Sequence, residues 1–233
     1  MFDTLPRKFQ SQLLSLPETG MGYQLVELDF RKKISNEDRF FKAIVFNSSK
    51  YEILSNDDTE IKYGGISKRF LRVRDSFIHE FLNENEYELN SIKSLPIENL
   101  KISDKSVEYN GGAVDSPLQD TQSEEIFVRF SAFPDDTRVN FSDKSLIAGT
   151  FATTYKDAKY CLDNKLNIND RYALPNDLEI KYYYIIKPKS GTSIQRGIVQ
   201  PAFGKTGGGE EVFFPTGTSS NTVEGPIDIT VPI

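Results

Sequence analysis

The chain has 233 residues and a formal net charge of −6. That length suffices for one large domain or two small ones, each with its own core. The mild acidity, shared by both halves, argues against a protein that coats nucleic acid. No apolar run approaches the roughly 20 residues needed to cross a bilayer, and Met1–Lys8 lacks the charged-then-apolar order of a Sec-type signal. The expectation is a chain without a membrane segment, cytoplasmic or exported by another route. One cysteine, Cys161, excludes an internal disulfide and a thiolate-rich metal site. One histidine, His79, leaves no imidazole after Arg129, so Ser-His-Asp hydrolysis in the second half is excluded. No metal is expected, and any chemistry must run on carboxylates, hydroxyls, Arg and Lys.

In chain order, Pro6–Ser15 reads as a short helix with Thr4 as a candidate N-cap. Leu16-Pro17-Glu18-Thr19-Gly20 spells a sortase signal. No apolar anchor and basic tail follow it, so it reads as a helix stop and turn. Tyr23–Phe30 and Phe40–Asn47 alternate like strands, and Tyr51–Leu54 forms a short third one. Ile66, Phe70, Val73, Phe77 and Phe81 mark one face of a helix over about Ser67–Asn83. Its basic residues Lys68, Arg69, Arg72 and Arg74 read as a solvated face rather than a nucleic-acid site. Leu89–Gln122, polar and containing Gly111-Gly112, reads as a connector. The expected division is therefore residues 1–120, a small α+β domain, and residues 121–233, a β-rich domain.

In the second part, strands are expected over Glu125–Phe130, Leu146–Phe151, Glu179–Lys187, Ile194–Val199, Glu211–Phe214 and Asp228–Val231. Tyr155–Asp163 reads as a helix opened by Thr153-Thr154. The fold class is α+β with much β.

Three patterns there carry chemistry: Arg129 on an apolar strand, the hydroxyls Thr153 and Thr154 at a strand end, and Phe203-Gly204-Lys205-Thr206-Gly207-Gly208-Gly209 running into Glu210-Glu211. Singly, each has an ordinary structural explanation: a salt-bridged strand arginine, an N-cap, a flexible connector. In order, they resemble the Arg, Ser, Glu arrangement of the mono-ADP-ribosyltransferases, with Glu211-Val212-Phe213-Phe214-Pro215-Thr216-Gly217-Thr218 as the most telling piece. Arg171-Tyr172-Ala173-Leu174-Pro175, Tyr182–Pro188 and Ala202–Gly209 resemble the tuberculosis necrotizing toxin family, which hydrolyses NAD.

The resemblance implies a split β-sheet domain that consumes NAD as its substrate, by hydrolysis or by transfer to a protein or small-molecule acceptor. It implies Glu211 as the carboxylate near the ribose, Arg129 on the pyrophosphate, and Thr153 or Thr154 as braces. Phe203 or Tyr155 would face the nicotinamide, and Lys205 and the glycines 207–209 would lie along the ligand. Gly209 stands where arginine-modifying transferases carry Glu or Gln, so the resemblance points to a target other than arginine. Lys205 and Glu211 stand where the toxin family carries Gln. A toxin or effector setting makes an immunity protein a candidate partner. The competing expectation is a non-catalytic binding or structural module with a glycine-rich loop.

Overall fold

The structure, a computed structural model, describes residues 3–30, 40–48, 50–53, 61–63, 66–68, 89–94, 112–174 and 178–233. It is β-rich with few helices, in keeping with the α+β expectation. Among the described residues, no helix is long and apolar enough to cross a membrane.

The first sheet orders its strands β1 (Asp3–Thr4), β4 (Lys50–Ile53), β3 (Phe40–Phe46), β2 (Tyr23–Phe30) and β7 (Leu89–Ser94). β2 and β3 occupy the expected segments because their alternation buries Leu25, Ile44 and Phe46. Helix α1 (Arg7–Leu14) has Pro6 at its N-cap and buries Phe9 and Leu13. Thr4, expected as the cap, belongs to β1 instead. β7 corrects the expected connector: Leu89–Ser94 pairs with β2. β5 (Ile61–Tyr63) and β6 (Ile66–Lys68) pair with each other, so Ser67 and Lys68 are strand rather than helix. The remainder of the expected Ser67–Asn83 helix, with His79, lies outside the described residues.

The second sheet runs β16 (Val223–Asp228), β13 (Tyr182–Ile186), β9 (Phe127–Ser131), β12 (Thr150–Thr154), β15 (Glu210–Phe214), β14 (Ser193–Ile198) and β8 (Gln119–Asp120). A small hairpin, β10 (Val139–Asn140) with β11 (Ser145–Leu146), stands apart. The last strand lies earlier than the expected Asp228–Val231, and Ile229–Thr230 form a turn. β8, and the 3-10 turn Ala113–Asp115 whose Val114 and Ser116 carbonyls accept from Gln195, attach residues 113–120 to this second sheet.

Helix α2 (Tyr155–Asp163) covers one face. Thr154 caps it, its Oγ1 accepting the Asp157 N–H at 3.1 Å, and Ala158 and Cys161 pack with Val128, Phe130, Phe151 and Phe213. The opposite face buries Phe127, Ala152, Tyr184, Val212 and Phe214. Each fully buried Phe on these two faces contributes about 1.5–3 kcal/mol.

β12 changes partners along its length. Thr150, Phe151 and Ala152 pair with β15, whereas Thr153 and Thr154 pair with β9. Upstream of Thr153 the β9 edge of β12 therefore lacks a strand partner, and its peptide groups must be satisfied by other means. Two side chains do so. Arg129 donates to the Phe151 carbonyl at 2.8 Å, and Glu18 accepts the Phe151 N–H at 3.1 Å. Glu18 belongs to the sortase-like segment, which is here a buried structural turn with Glu18 3% exposed.

Arg129 and Glu18 form a two-pronged ion pair (2.9 Å on each arm), and Asp136 takes the Nε and the remaining Nη2 hydrogen at 2.9 and 3.1 Å. Burial by itself would lower the Arg129 pKa, but the charges of Asp136 and Glu18 more than offset it and hold the guanidinium above its ordinary value. Nearby, the β3–β4 turn is tied to the Asp136 loop. Asn47 Oδ1 accepts the Thr137 N–H at 2.6 Å, and its Nδ2 donates to the Asp135 carbonyl.

Removing one partner of a buried ion cluster leaves the others uncompensated. Arg129→Ala should lower stability by about 3–5 kcal/mol in denaturant titration. A loss under 1 kcal/mol would show that the cluster does not hold the split.

Candidate functional site

The strands carrying Arg129, the two threonines and the two glutamates, β9, β12 and β15, are consecutive neighbours in the middle of the second sheet. Residues directly opposite each other in antiparallel strands point to the same face. The pairs Thr153↔Val128, Thr154↔Phe127, Phe151↔Phe213 and Ala152↔Val212 then fix every orientation. Arg129, Thr154 and Glu210 share the face of Phe127 and Val212. Thr153 and Glu211 share the face covered by α2. The expected trio Arg129, Thr153 and Glu211 is thus divided between the two faces of the sheet.

Arg129 also spends each of its N–H groups within the protein, on Glu18, Asp136 and the Phe151 carbonyl. This corrects its expected role: as folded, the fork is occupied and is not presented to a pyrophosphate.

Glu210 was passed over in the sequence in favour of its neighbour. Its Oε2 accepts the Thr154 hydroxyl at 2.6 Å, so one hydroxyl both caps α2 and holds a carboxylate. Glu211, half-buried, points the other way, where its Oε1 accepts the Ala113 N–H at 2.6 Å. Gly112 lies close beside it: a Cβ there would come within 2.9 Å of Glu211 Oε1 and displace that carboxylate from its present position.

Beneath Glu211 lies a second polar centre that the sequence did not reveal. Asp157, 6% exposed, accepts from Arg171 Nε and Nη2, from the Tyr172 hydroxyl at 2.8 Å and from the Glu210 N–H at 3.2 Å. Thr153 Oγ1 donates to the Glu210 carbonyl at 2.7 Å. Burial holds the Tyr172 hydroxyl above its ordinary pKa, so it stays protonated as a donor. Arg171 and Tyr172 come from, and just follow, a single helical turn, α3 (Ile168–Arg171), capped by Asn167. The available signal was Asp157 three residues after a capping threonine, together with the Arg171-Tyr172 pair in the toxin-like segment.

The glycine loop packs against this centre. The N–H groups of Gly207, Gly208 and Gly209 donate to the carbonyls of Asp170, Val199 and Arg171 at 3.0, 2.8 and 3.1 Å. Thr206 donates twice to Asp170, which holds that carboxyl below its usual range. The expectation that these glycines bring backbone close to a ligand is corrected for Gly207 and Gly209, which bring it close to the protein, whereas Gly208 faces open space. A Cβ on Gly209 would meet the Tyr172 ring at 2.7 Å, and one on Gly207 the Val199 carbonyl oxygen at 2.6 Å.

Phe203 and Gly204, both with positive φ, form the tight turn between Ala202 and Lys205. The Phe203 ring stands edge-on to Tyr23 of β2, with centroids 5.7 Å apart. Lys205 is half-buried in the same turn, and its charge helps to lower the Asp170 pKa. Tyr155 packs against the core cluster that α2 covers.

A cleft of about 420 Å³, counting its open mouth, lies where the two sheets meet. Met21, Tyr23, Phe46, Phe130 and Leu174 line it together with Arg129 and Asp136. Among the described residues, no group of His, Cys, Asp and Glu side chains could hold a metal ion.

Comparisons with family models, with curated proteins and with solved structures return no match. The site is interpreted from its own geometry.

Two predictions follow from the packing here. Gly207→Ala combines a positive φ, about 1–2 kcal/mol, with a backbone overlap of about 1–3 kcal/mol. Gly208→Ala meets open space and pays the φ cost alone. Thermal melts should rank Gly207→Ala well below Gly208→Ala, and equal losses would refute the close packing. Burial pushes the Cys161 thiol up to about 11. At pH 8 its thiolate fraction is on the order of one in a thousand, so iodoacetamide should label it in denaturant and barely at all in the native protein.

Proposed function

We propose that the second half of the chain is an NAD-consuming module of the ADP-ribosyltransferase type, with a split sheet as its scaffold. The observation that supports it best is the adjacency of β9, β12 and β15, with two successive glutamates directly after the glycine loop, Glu210 held by the Thr154 hydroxyl and Glu211 by the Ala113 N–H. Cleaving nicotinamide from ribose builds positive charge on the sugar. A carboxylate fixed before the reaction stabilises that charge without reorganising.

Glu210 and Glu211 offer one such group to each face of the sheet. Glu211 is the residue the family resemblance implies, and Glu210 is the one braced by a threonine on the Arg129 face. Whether the sugar is passed to water, to a small molecule or to a protein is left to the acceptor.

The alternative is a non-catalytic binding module. The observations that favour it are the internal neutralisation of Arg129 and the division of Arg129 and Glu211 between two faces. The two readings differ in turnover. Purified protein incubated with NAD should release nicotinamide and ADP-ribose, resolved by chromatography. Glu211→Gln or Glu210→Gln should reduce that release by roughly 100-fold or more, and the variant that does so identifies the working face. Nicotinamide without matching free ADP-ribose would indicate transfer. Full activity in both variants would remove the glutamates from the mechanism, and absence of both turnover and NAD binding by calorimetry would favour the binding module.

A further inference from the structure

The Glu18 carboxylate is held as a bound anion would be. Two guanidinium groups face it: Arg129 on both oxygens at 2.9 Å, and Arg138 Nε at 3.7 Å from Oε1. Two backbone N–H groups complete the cradle, those of Phe151 and Gly22, each at 3.1 Å. The receiving groups Arg129, Arg138 and Phe151 N–H belong to the second sheet and its loops. Glu18 and Gly22 belong to the segment between α1 and β2.

The same relation recurs on the other face, where Glu211 is met by the N–H of Ala113, ahead of the second sheet. Arg129 and Glu211, the two groups the family resemblance implies, are thus each bonded to a residue that precedes β8, whereas Glu210 is held by Thr154.

We propose that residues 16–22 are an autoinhibitory strap in which Glu18 occupies an anion receptor made by Arg129, Arg138 and the Phe151 N–H, a receptor suited to a phosphate or pyrophosphate group. For the catalytic consequence of its release, the inference rests on the NAD reading. The fit is one of charge as well as shape. With Glu18 in place, Arg129 and Arg138 face Glu18 and Asp136, two cations against two carboxylates. Without it, the pair faces Asp136 alone and carries the net positive charge that an incoming phosphate oxygen would neutralise.

The strap is held chiefly through its backbone. Gln24 Nε2 donates to the carbonyls of Leu13, Leu16 and Pro17, and Arg138 donates to those of Leu13 and Leu16. The Glu18 N–H donates to the Gly149 carbonyl at 2.9 Å. The strap is therefore a short stretch of chain seated by these polar contacts and by the buried Met21 side chain, with a charged plug between them on which a competing anion acts.

The test uses the full-length chain, inorganic pyrophosphate as probe, and Glu18→Gln. Pyrophosphate should raise the Tm of Glu18→Gln by more than it raises the wild-type Tm, because in the wild type it must first displace Glu18. In the wild type, saturating pyrophosphate should speed hydrogen exchange at the Gly22 N–H, which Glu18 holds, so a variant that fails to fold does not end the test. If the NAD reading also stands, Glu18→Gln should turn over NAD at least about fivefold faster than wild type. No pyrophosphate effect on either the variant's Tm or Gly22 exchange overturns the strap, even where NAD is consumed. Pyrophosphate binding with no NAD turnover in either protein keeps the strap and overturns the NAD reading.

Discussion

A buried guanidinium fixes the organisation of this protein. Arg129 sits where β12 parts from β9, and among the described residues no strand lies on that side to accept from or donate to the peptide groups of Phe151. An unsatisfied buried peptide group costs about 1–3 kcal/mol, and an unpaired buried arginine costs more. Arg129 and Glu18 remove both penalties together by completing the edge of β12 and neutralising each other. Asp136 and Arg138 extend the cluster, and the Asp136 loop is in turn where the β3–β4 hairpin docks through Asn47. The two sheets meet through this charge pairing and through an apolar contact in which Phe133 and Phe203 pack on Tyr23, Leu25, Ile44 and Phe46.

On the other face of the second sheet a single carboxylate does comparable work. Asp157 gathers the side chains of Arg171 and Tyr172 and the backbone of Glu210, and so ties α2, α3 and the first residue of β15 to one point. The glycine loop closes over α3 with its amides already bonded. Gly207 and Gly209 are small because protein lies against them. The two centres are built alike: a buried side chain of one sign, with partners drawn from segments far apart in sequence.

Much of the fold could be read from the sequence where periodicity decides it. β2 and β3 follow from alternation, β9 and β15 from short apolar runs, and α2 from its capping threonine and apolar face. β7 escaped because Leu89–Ser94 is short and polar and becomes a strand through the edge that β2 offers it. The last strand was misplaced because Gly225 and Pro226 disguise Val223–Asp228 as loop.

The site was harder. The three chemistry-bearing strands were recognised, and the division of Arg129 from Glu211 was not, because the face of a strand residue depends on register and a shift of one residue reverses it. Glu210 and Glu211 are indistinguishable by composition and separate only once the pairing of Ala152 with Val212 is known. Nothing local marks Glu18 as the partner of Arg129, since that contact spans 111 positions.

That separation bears on how the molecule assembles during synthesis. Glu18 leaves the ribosome long before Arg129 and Phe151, and until both have emerged the first sheet has neither the loop nor the counter-charge against which it docks. Loop closure over such a distance is slow and is rewarded only at the end. Throughout translation of the intervening hundred or so residues, the turn after α1 keeps its carboxylate in water. The Glu18–Arg129 pair can leave solvent only once β9 and β12 have both been made.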